Sequence, residues 1–233
     1  MLILLNYSAF RIAEFEFCIC TQCRGMCYND NMLGIFLDTE TTGLHSGRHC
    51  PIDIAMKVMD LPSGKILGTS QHVIKPPLEK WEQRDPASMG INGYTWEEVA
   101  KGKDIETVGN EVIKFFSDLH IQRTNAIFIC QNPSFDRAFF NHLVDVYVQE
   151  LLNWPYHWLD LASMYWMARL HQTKMSGIPL PDKLSFSKDE IARYFQLPTE
   201  ASPHRAAAGV DHLILCYQAV LKAINASHET PPV

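Results

Sequence analysis

The run Phe36-Leu37-Asp38-Thr39-Glu40-Thr41-Thr42-Gly43-Leu44 sets the strongest limit on how this chain folds, because an apolar stretch beginning at Leu33 ends in two carboxylates just before a glycine turn. Leu33, Ile35, Phe36 and Leu37 call for burial as a strand. Alternate strand side chains share a face, so Asp38 and Glu40 point the same way. Two ionised carboxylates side by side repel and lose hydration where a strand is buried, which is costly without a cation between them. Asp-x-Glu in isolation commonly describes the solvated face of an edge strand. Here the apolar residues before the pair argue for the end of a buried strand, which is where ligands bind in α/β sheets. Mg²⁺ and Mn²⁺ prefer oxygen ligands and leave positions for water and phosphate, so phosphodiester chemistry is the first function the motif points to.

At 233 residues the chain is long enough for one substantial core, and its formal net charge of −6 argues against coating nucleic acid through a broad basic surface. An enzyme gripping a strand end through metal ions and a few Lys and Arg remains compatible with that charge. The apolar start, Met1 to Leu5, has no positive flank and is broken by Asn6, Arg11, Glu14 and Glu16. This predicts neither a signal peptide nor a membrane span, and hence a cytoplasmic protein. Cys18, Cys20, Cys23 and Cys27 crowd together without the paired C-x-x-C spacing of a zinc site. Residues 1–31 therefore read as an accessory, dispensable extension, 32–226 as the functional domain and 227–233 as a tail.

Within the domain, Ile52 to Met59 and Ile66 to Lys75 read as strands joined by the hairpin turn Leu61-Pro62-Ser63-Gly64-Lys65, which makes the sheet mixed. Ile105 to Leu119 has helical spacing, and Ala126 to Cys130 is a short buried-type strand. Pro133 opens a helix with Phe135, Phe139, Leu143, Val144 and Val148 on one stripe. A short strand at His157 to Asp160 leads into a helix from Leu161 to Leu170, with Asp160 as its cap. A long Pro-rich loop covers His171 to Phe186, Ser187 caps another helix, and the last helix runs from about Arg205 to Ile224. The sum is a single α/β layered domain.

Two further segments carry chemistry. In Gln131-Asn132-Pro133-Ser134-Phe135-Asp136-Arg137-Ala138-Phe139-Phe140, Asp136 falls in the first turn of the helix after the buried strand. An acid there favours the helix dipole in any case, but if that strand neighbours the Asp38 strand, Asp136 reaches the carboxylate pair. It then completes a site for a second ion, and two ions about 4 Å apart clamp the attacking and leaving oxygens of a phosphodiester. In Pro203-His204-Arg205-Ala206-Ala207-Ala208-Gly209-Val210-Asp211-His212, His204 offers an imidazole, the side chain suited to taking a proton from a metal-bound water.

FLDTETTGL, QNPSFDRAFF and PHRAAAGVD, in that order, resemble the three exonuclease motifs of the DEDDh group, the DnaQ-like 3′-to-5′ exonucleases, over roughly Met32 to Ile224. The resemblance implies a ribonuclease H-like fold, a five-stranded mixed sheet flanked by helices, and two Mg²⁺ or Mn²⁺ ions. It implies that Asp38 bridges both ions, that Glu40 holds the ion carrying the nucleophilic water, that Asp136 serves the second ion, and that His204 is the general base. Backbone around Thr39, Thr41, Thr42 and Gly43 would approach the terminal nucleotide, and Leu44 would wedge against its base. Asn132 stands where the family often has His-Asn, with Gln131 replacing the His. Met89 to Thr95 is similar to the family's segment beside the terminal base. The implied substrates are single-stranded or frayed 3′ ends of DNA or RNA, with a replication or repair protein as partner and no membrane. Residues 227–233 are short for a partner-binding segment.

One departure matters. The family places its last Asp five residues after the His, and that position is Gly209. Asp211 lies two residues further on, about 200° away around a continuous helix. Either a longer His loop delays the helix and restores Asp211 to the metals, or the site has lost a ligand. The second alternative describes a catalytically impaired nucleic-acid-binding or scaffold domain. The aromatic group Trp154, Tyr156, Trp158, Tyr165 and Trp166 reads as packing, and Lys174, Lys183, Lys188 and Arg193 as surface charge.

Overall fold

The computed structural model describes residues 32–226, apart from 178 and 182. The Cys18 to Cys27 cluster and the tail lie outside the described residues. In chain order the elements are β1 (Leu33–Thr41), β2 (Pro51–Asp60), β3 (Lys65–Val73), α1 (Leu78–Glu82), α2 (Pro86–Asn92), α3 (Trp96–Val99), α4 (Ile105–Asp118), β4 (Ala126–Cys130), α5 (Pro133–Phe140), α6 (Val146–Leu151), β5 (Trp158–Asp160), α7 (Leu161–Ser176), α8 (Lys188–Tyr194) and α9 (Ala206–Ala226).

The five strands form one mixed sheet in the order β3-β2-β1-β4-β5. β1 runs antiparallel to β2 and parallel to β4, and β5 is parallel to β4. The β2–β3 hairpin turns through Gly64, whose φ of 71° is a conformation glycine adopts without steric cost. The strand before the second motif is thus the direct neighbour of the strand that carries Asp38, as the sequence required for a shared site.

Period-two alternation sorts β1 between two layers. Ile35 and Leu37 join Val112, Phe116, Phe128, Phe140 and Trp154 on the face covered by α4. Phe36 turns to the opposite face, among Leu161, Ala206, Val210, Leu213 and Tyr217. Asp38 and Glu40 continue the parity of Phe36, so they emerge on the side where α9 packs against β1 and β2.

Among the described residues, α9 is the one helix whose length and apolarity would suffice to cross a membrane. Its apolar residues Val210, Leu213, Cys216 and Val220 are instead fully buried in the second layer. Two helical boundaries depart from expectation. The stripe from Phe135 to Val148 is two helices rather than one, because Asp145 accepts a hydrogen bond from the Tyr147 amide (2.8 Å) and starts α6 afresh. α7 continues six residues beyond Leu170 to Ser176 and ends at Gly177 with φ 70°, shortening the loop that follows.

Candidate active site

Asp38 and Glu40 stand at the end of β1, where the β1–β2 register shifts between Glu40 and Thr41. Glu40 is buried, and only 14% of the Asp38 side chain is exposed. Asp136, in the first turn of α5, is buried and accepts a hydrogen bond from the Thr39 hydroxyl at 2.9 Å. Asn132 precedes it in left-handed backbone, φ 55°, and its amide donates to Asp160 Oδ1 (3.1 Å). Asp160 also caps α7 by accepting from the Ala162 and Ser163 amides. One carboxylate therefore ties the turn before Asp136 to the neighbouring β5–α7 junction.

The third motif is anchored by a residue the sequence did not single out. Asp53 on β2, the register partner of Glu40, is fully buried and its Oδ2 accepts from the Ala206 amide (2.9 Å) and the Tyr94 hydroxyl (2.8 Å). A carboxylate against the first amides of a helix is favourably placed in the helix dipole. Arg205 stacks over the Tyr94 ring, 3.9 Å from its centroid. His204 donates its backbone N–H to Ile91 O (3.1 Å), and Asn92 Nδ2 donates to Thr41 O (3.1 Å). Through these bonds Met89 to Thr95 joins the His204 segment to the first motif. Thr41 Oγ1 donates to Gly43 O (2.8 Å), Thr42 Oγ1 accepts from the Cys50 amide (3.1 Å), and Leu44 beyond them is 74% exposed.

Gly209 decides the register of α9. A Cβ at this position would overlap the Asp38 carboxylate, so residue 209 is the one that faces the acids. Asp211 is turned away, 57% exposed and paired with Lys57 of β2. The expectation that a longer His loop returns Asp211 to the metals is therefore not met: α9 is already helical at Ala206, and its second turn carries residue 211 round to Lys57.

Two groups absent from the expected set fill the centre. Lys188, the first residue of α8, places its ammonium 2.8 Å from Asp38 Oδ1 and 3.0 Å from Glu200 Oε2, with 13% of its side chain exposed. The Glu200 side chain is 3% exposed, and the residue sits four positions before His204, whose Nδ1 lies 3.8 Å from Glu200 Oε1. One oxygen each of Glu40 and Glu200 and one nitrogen of His204 lie within 4.8 Å of one another. No pattern in the sequence marked Glu200, whose segment is a loop. Lys188 is the N-terminal residue of a capped helix, where surface exposure is the ordinary expectation.

The electrostatics follow from packing four carboxylates around one ammonium. Burial raises Asp38 above the usual carboxylate range, and Lys188 opposes it. Glu40 is pushed up to about 8 by burial, then by the charges of Asp38 and Glu200. Asp136 is held well above its ordinary value by burial and by Asp38, against the Thr39 hydrogen bond. Burial disfavours the charge on Lys188, but Asp38 and Glu200 outweigh it and hold the ammonium above its ordinary value. Groups whose charged forms are this disfavoured, all presenting hard oxygens, make a cradle suited to a divalent cation.

The exonuclease family model RNase T matches residues 35–214, and the chain belongs to that family. Its fold is the ribonuclease H-like exonuclease fold seen in several solved structures. Exonuclease I of E. coli in complex with a dT13 oligonucleotide superposes with a TM-score of 0.64 at 19% identity, covering 84% of this chain and 42% of that one. Cell-death related nuclease 4 (CRN-4) gives 0.63 at 14% identity, covering 83% and 64%. The nuclease domain of 3′hExo, a DEDDh family member bound to rAMP, gives 0.60 at 13% identity, covering 82% and 92%. The chain thus spans less than two thirds of Exonuclease I and of CRN-4. No curated protein matches the sequence.

Proposed function

We propose that this chain is a divalent-metal-dependent exonuclease that removes nucleoside monophosphates from the 3′ ends of single-stranded or frayed DNA or RNA. The observation that carries the reading is the convergence of Asp38, Glu40, Asp136 and His204 from β1, α5 and the start of α9 on one buried acidic centre. The donor set fits Mg²⁺ or Mn²⁺: four carboxylates face a single lysine, leaving negative charge for a cation to neutralise. In this reading Asp38, Glu40 and Asp136 would be the carboxylates that hold the ions. Such ions, when bound, polarise the scissile phosphate and make water a better nucleophile at neutral pH.

The chain's own groups supply the rest. With Nδ1 of His204 turned toward Glu200, Nε2 is the nitrogen left to take a proton from the attacking water. Thr39 holds Asp136 in place through its hydroxyl. The backbone from Thr41 to Gly43, stiffened by the threonine hydroxyls, is where the terminal nucleotide lies. Leu44 and Ile91, 74% and 53% exposed on segments joined through Thr41 and Asn92, offer apolar contact to its base.

One observation favours a second reading, a nucleic-acid-binding domain with impaired catalysis. The motif's last acid is replaced by Gly209, and the Lys188 ammonium already bridges two of the carboxylates. An end-labelled single strand incubated with Mg²⁺ or Mn²⁺ separates the two. Progressive shortening from the 3′ end, lost in Asp38→Asn by a factor of about a thousand or more, is the expected result. Binding without shortening selects the impaired domain.

A further inference from the structure

We propose that Glu200 supplies the metal-binding carboxylate that the third motif lacks at Gly209, and that Lys188 holds it in place. This assignment rests on the metal-dependent reading above and names a ligand within it. Three observations lead to it. First, the position at which the family's acid would stand is closed: the Asp38 carboxylate occupies the space that a side chain at 209 would need. Second, Glu200 is buried at the same centre, and its Oε2 faces the Lys188 ammonium at 3.0 Å, with His212 Nδ1 at 3.7 Å. Its Oε1, equally buried, accepts no hydrogen bond among the described residues, His204 Nδ1 standing off at 3.8 Å. A carboxylate oxygen out of water and without a donor is expensive to maintain, unless a cation completes its coordination. Third, Glu40, Glu200 and His204 each offer a donor atom within 4.8 Å of the other two, close enough to face a single cation.

The anchoring is specific. The Glu200 amide donates to Asp189 Oδ1 at 2.9 Å, fixing the loop against the first turn of α8. Lys188, one residue earlier, grips Asp38 and Glu200 together and lies 3.5 Å from Gly209 O. Gly209, Asp38, Lys188 and Glu200 thus form one continuous arrangement: the missing Cβ admits Asp38, Asp38 engages the lysine, and the lysine orients Glu200. The acid count at the centre returns to four, with the fourth drawn from the loop before His204 instead of the helix after it.

Mn²⁺ titrations of the full chain, by calorimetry and by electron paramagnetic resonance of the free ion, test the assignment without recourse to turnover. Glu200→Gln is expected to weaken Mn²⁺ binding by about tenfold or more, while Asp211→Asn leaves it unchanged. Wild-type affinity in Glu200→Gln, a matching loss in Asp211→Asn, or no binding by the wild type at millimolar Mn²⁺ overturns the proposal. Should Glu200→Gln not fold, Lys188→Met is compared with Lys188→Met/Glu200→Gln, which no longer strands the lysine charge. Both should still bind Mn²⁺ through Asp38 and Glu40, and the double variant about tenfold or more weakly than the single one, because it lacks the Glu200 carboxylate. Equal affinity in the two overturns the proposal as well. A chain that binds Mn²⁺ through Glu200 yet leaves the labelled strand intact keeps the ligand and removes the exonuclease reading. Shortening that is indifferent to Glu200→Gln, with unchanged Mn²⁺ binding, does the reverse.

Discussion

Gly209 lies inside a helix, where replacing glycine by alanine ordinarily gains about 0.5–1 kcal/mol from reduced backbone freedom in the unfolded chain. Here the sign should reverse. The added methyl would overlap the Asp38 carboxylate, whose side chain is only 14% exposed and is held by the Lys188 ammonium at 2.8 Å. Gly209→Ala is expected to lower the melting temperature and to weaken Mn²⁺ binding together; a thermal melt with and without metal checks both. A rise in melting temperature would show that Asp38 does not occupy this space in solution. The same glycine separates what was readable from what was not. Its place five residues after His204 identified a missing acid, but whether Asp211 took over depended on where α9 begins, and a chain of alanines between the two permits either register.

Asp160 illustrates how an element boundary serves the site. Its position before Leu161 predicts a cap, and it accepts from the Ala162 and Ser163 amides at 3.1 Å each. The additional bond to the Asn132 amide crosses from one strand–helix junction to the next, and no local pattern encodes it. Asp160→Ala should cost about 1–2 kcal/mol of stability through the lost cap. It should also loosen the turn that carries Asp136, seen as faster amide hydrogen exchange at both the start of α7 and the start of α5. Faster exchange confined to α7 would assign Asp160 to capping alone. The apolar runs of β1 and β4 and the Pro133 helix start were legible because burial and backbone chemistry act locally. The break between α5 and α6 was not, since the stripe from Phe135 to Val148 satisfies helical spacing across a turn that Asp145 interrupts.

The whole chain carries its excess of buried acid as a dependence of stability on pH. Glu40 titrates near 8 in the folded metal-free protein, against an ordinary value near 4.5, so the folded state binds more protons than the unfolded state between those limits. Stability then falls as pH rises through this window, by up to about 1.4 kcal/mol per pH unit for a single group, and Asp136 acts in the same direction. Metal-free protein is expected to melt at a higher temperature at pH 5 than at pH 8, with saturating Mn²⁺ flattening the difference because the cation favours the charged carboxylates. Melting curves that rise with pH without metal would contradict the electrostatic account of the site.

Reading residues in order was enough to name a strand that must be buried, two acids that share its face, a third acid opening the next strand's helix, and a histidine heading the last helix. Those features depend on burial and on strand and helix periods, which neighbouring residues impose on each other. The exclusion of Asp211, the anchoring of α9 by Asp53, and the meeting of Lys188 with Asp38 and Glu200 arose from packing. They depend on how far α8 and α9 sit along the sheet, a distance set by side-chain volumes from many elements at once and by the charge that a crowded acidic pocket must find a partner for.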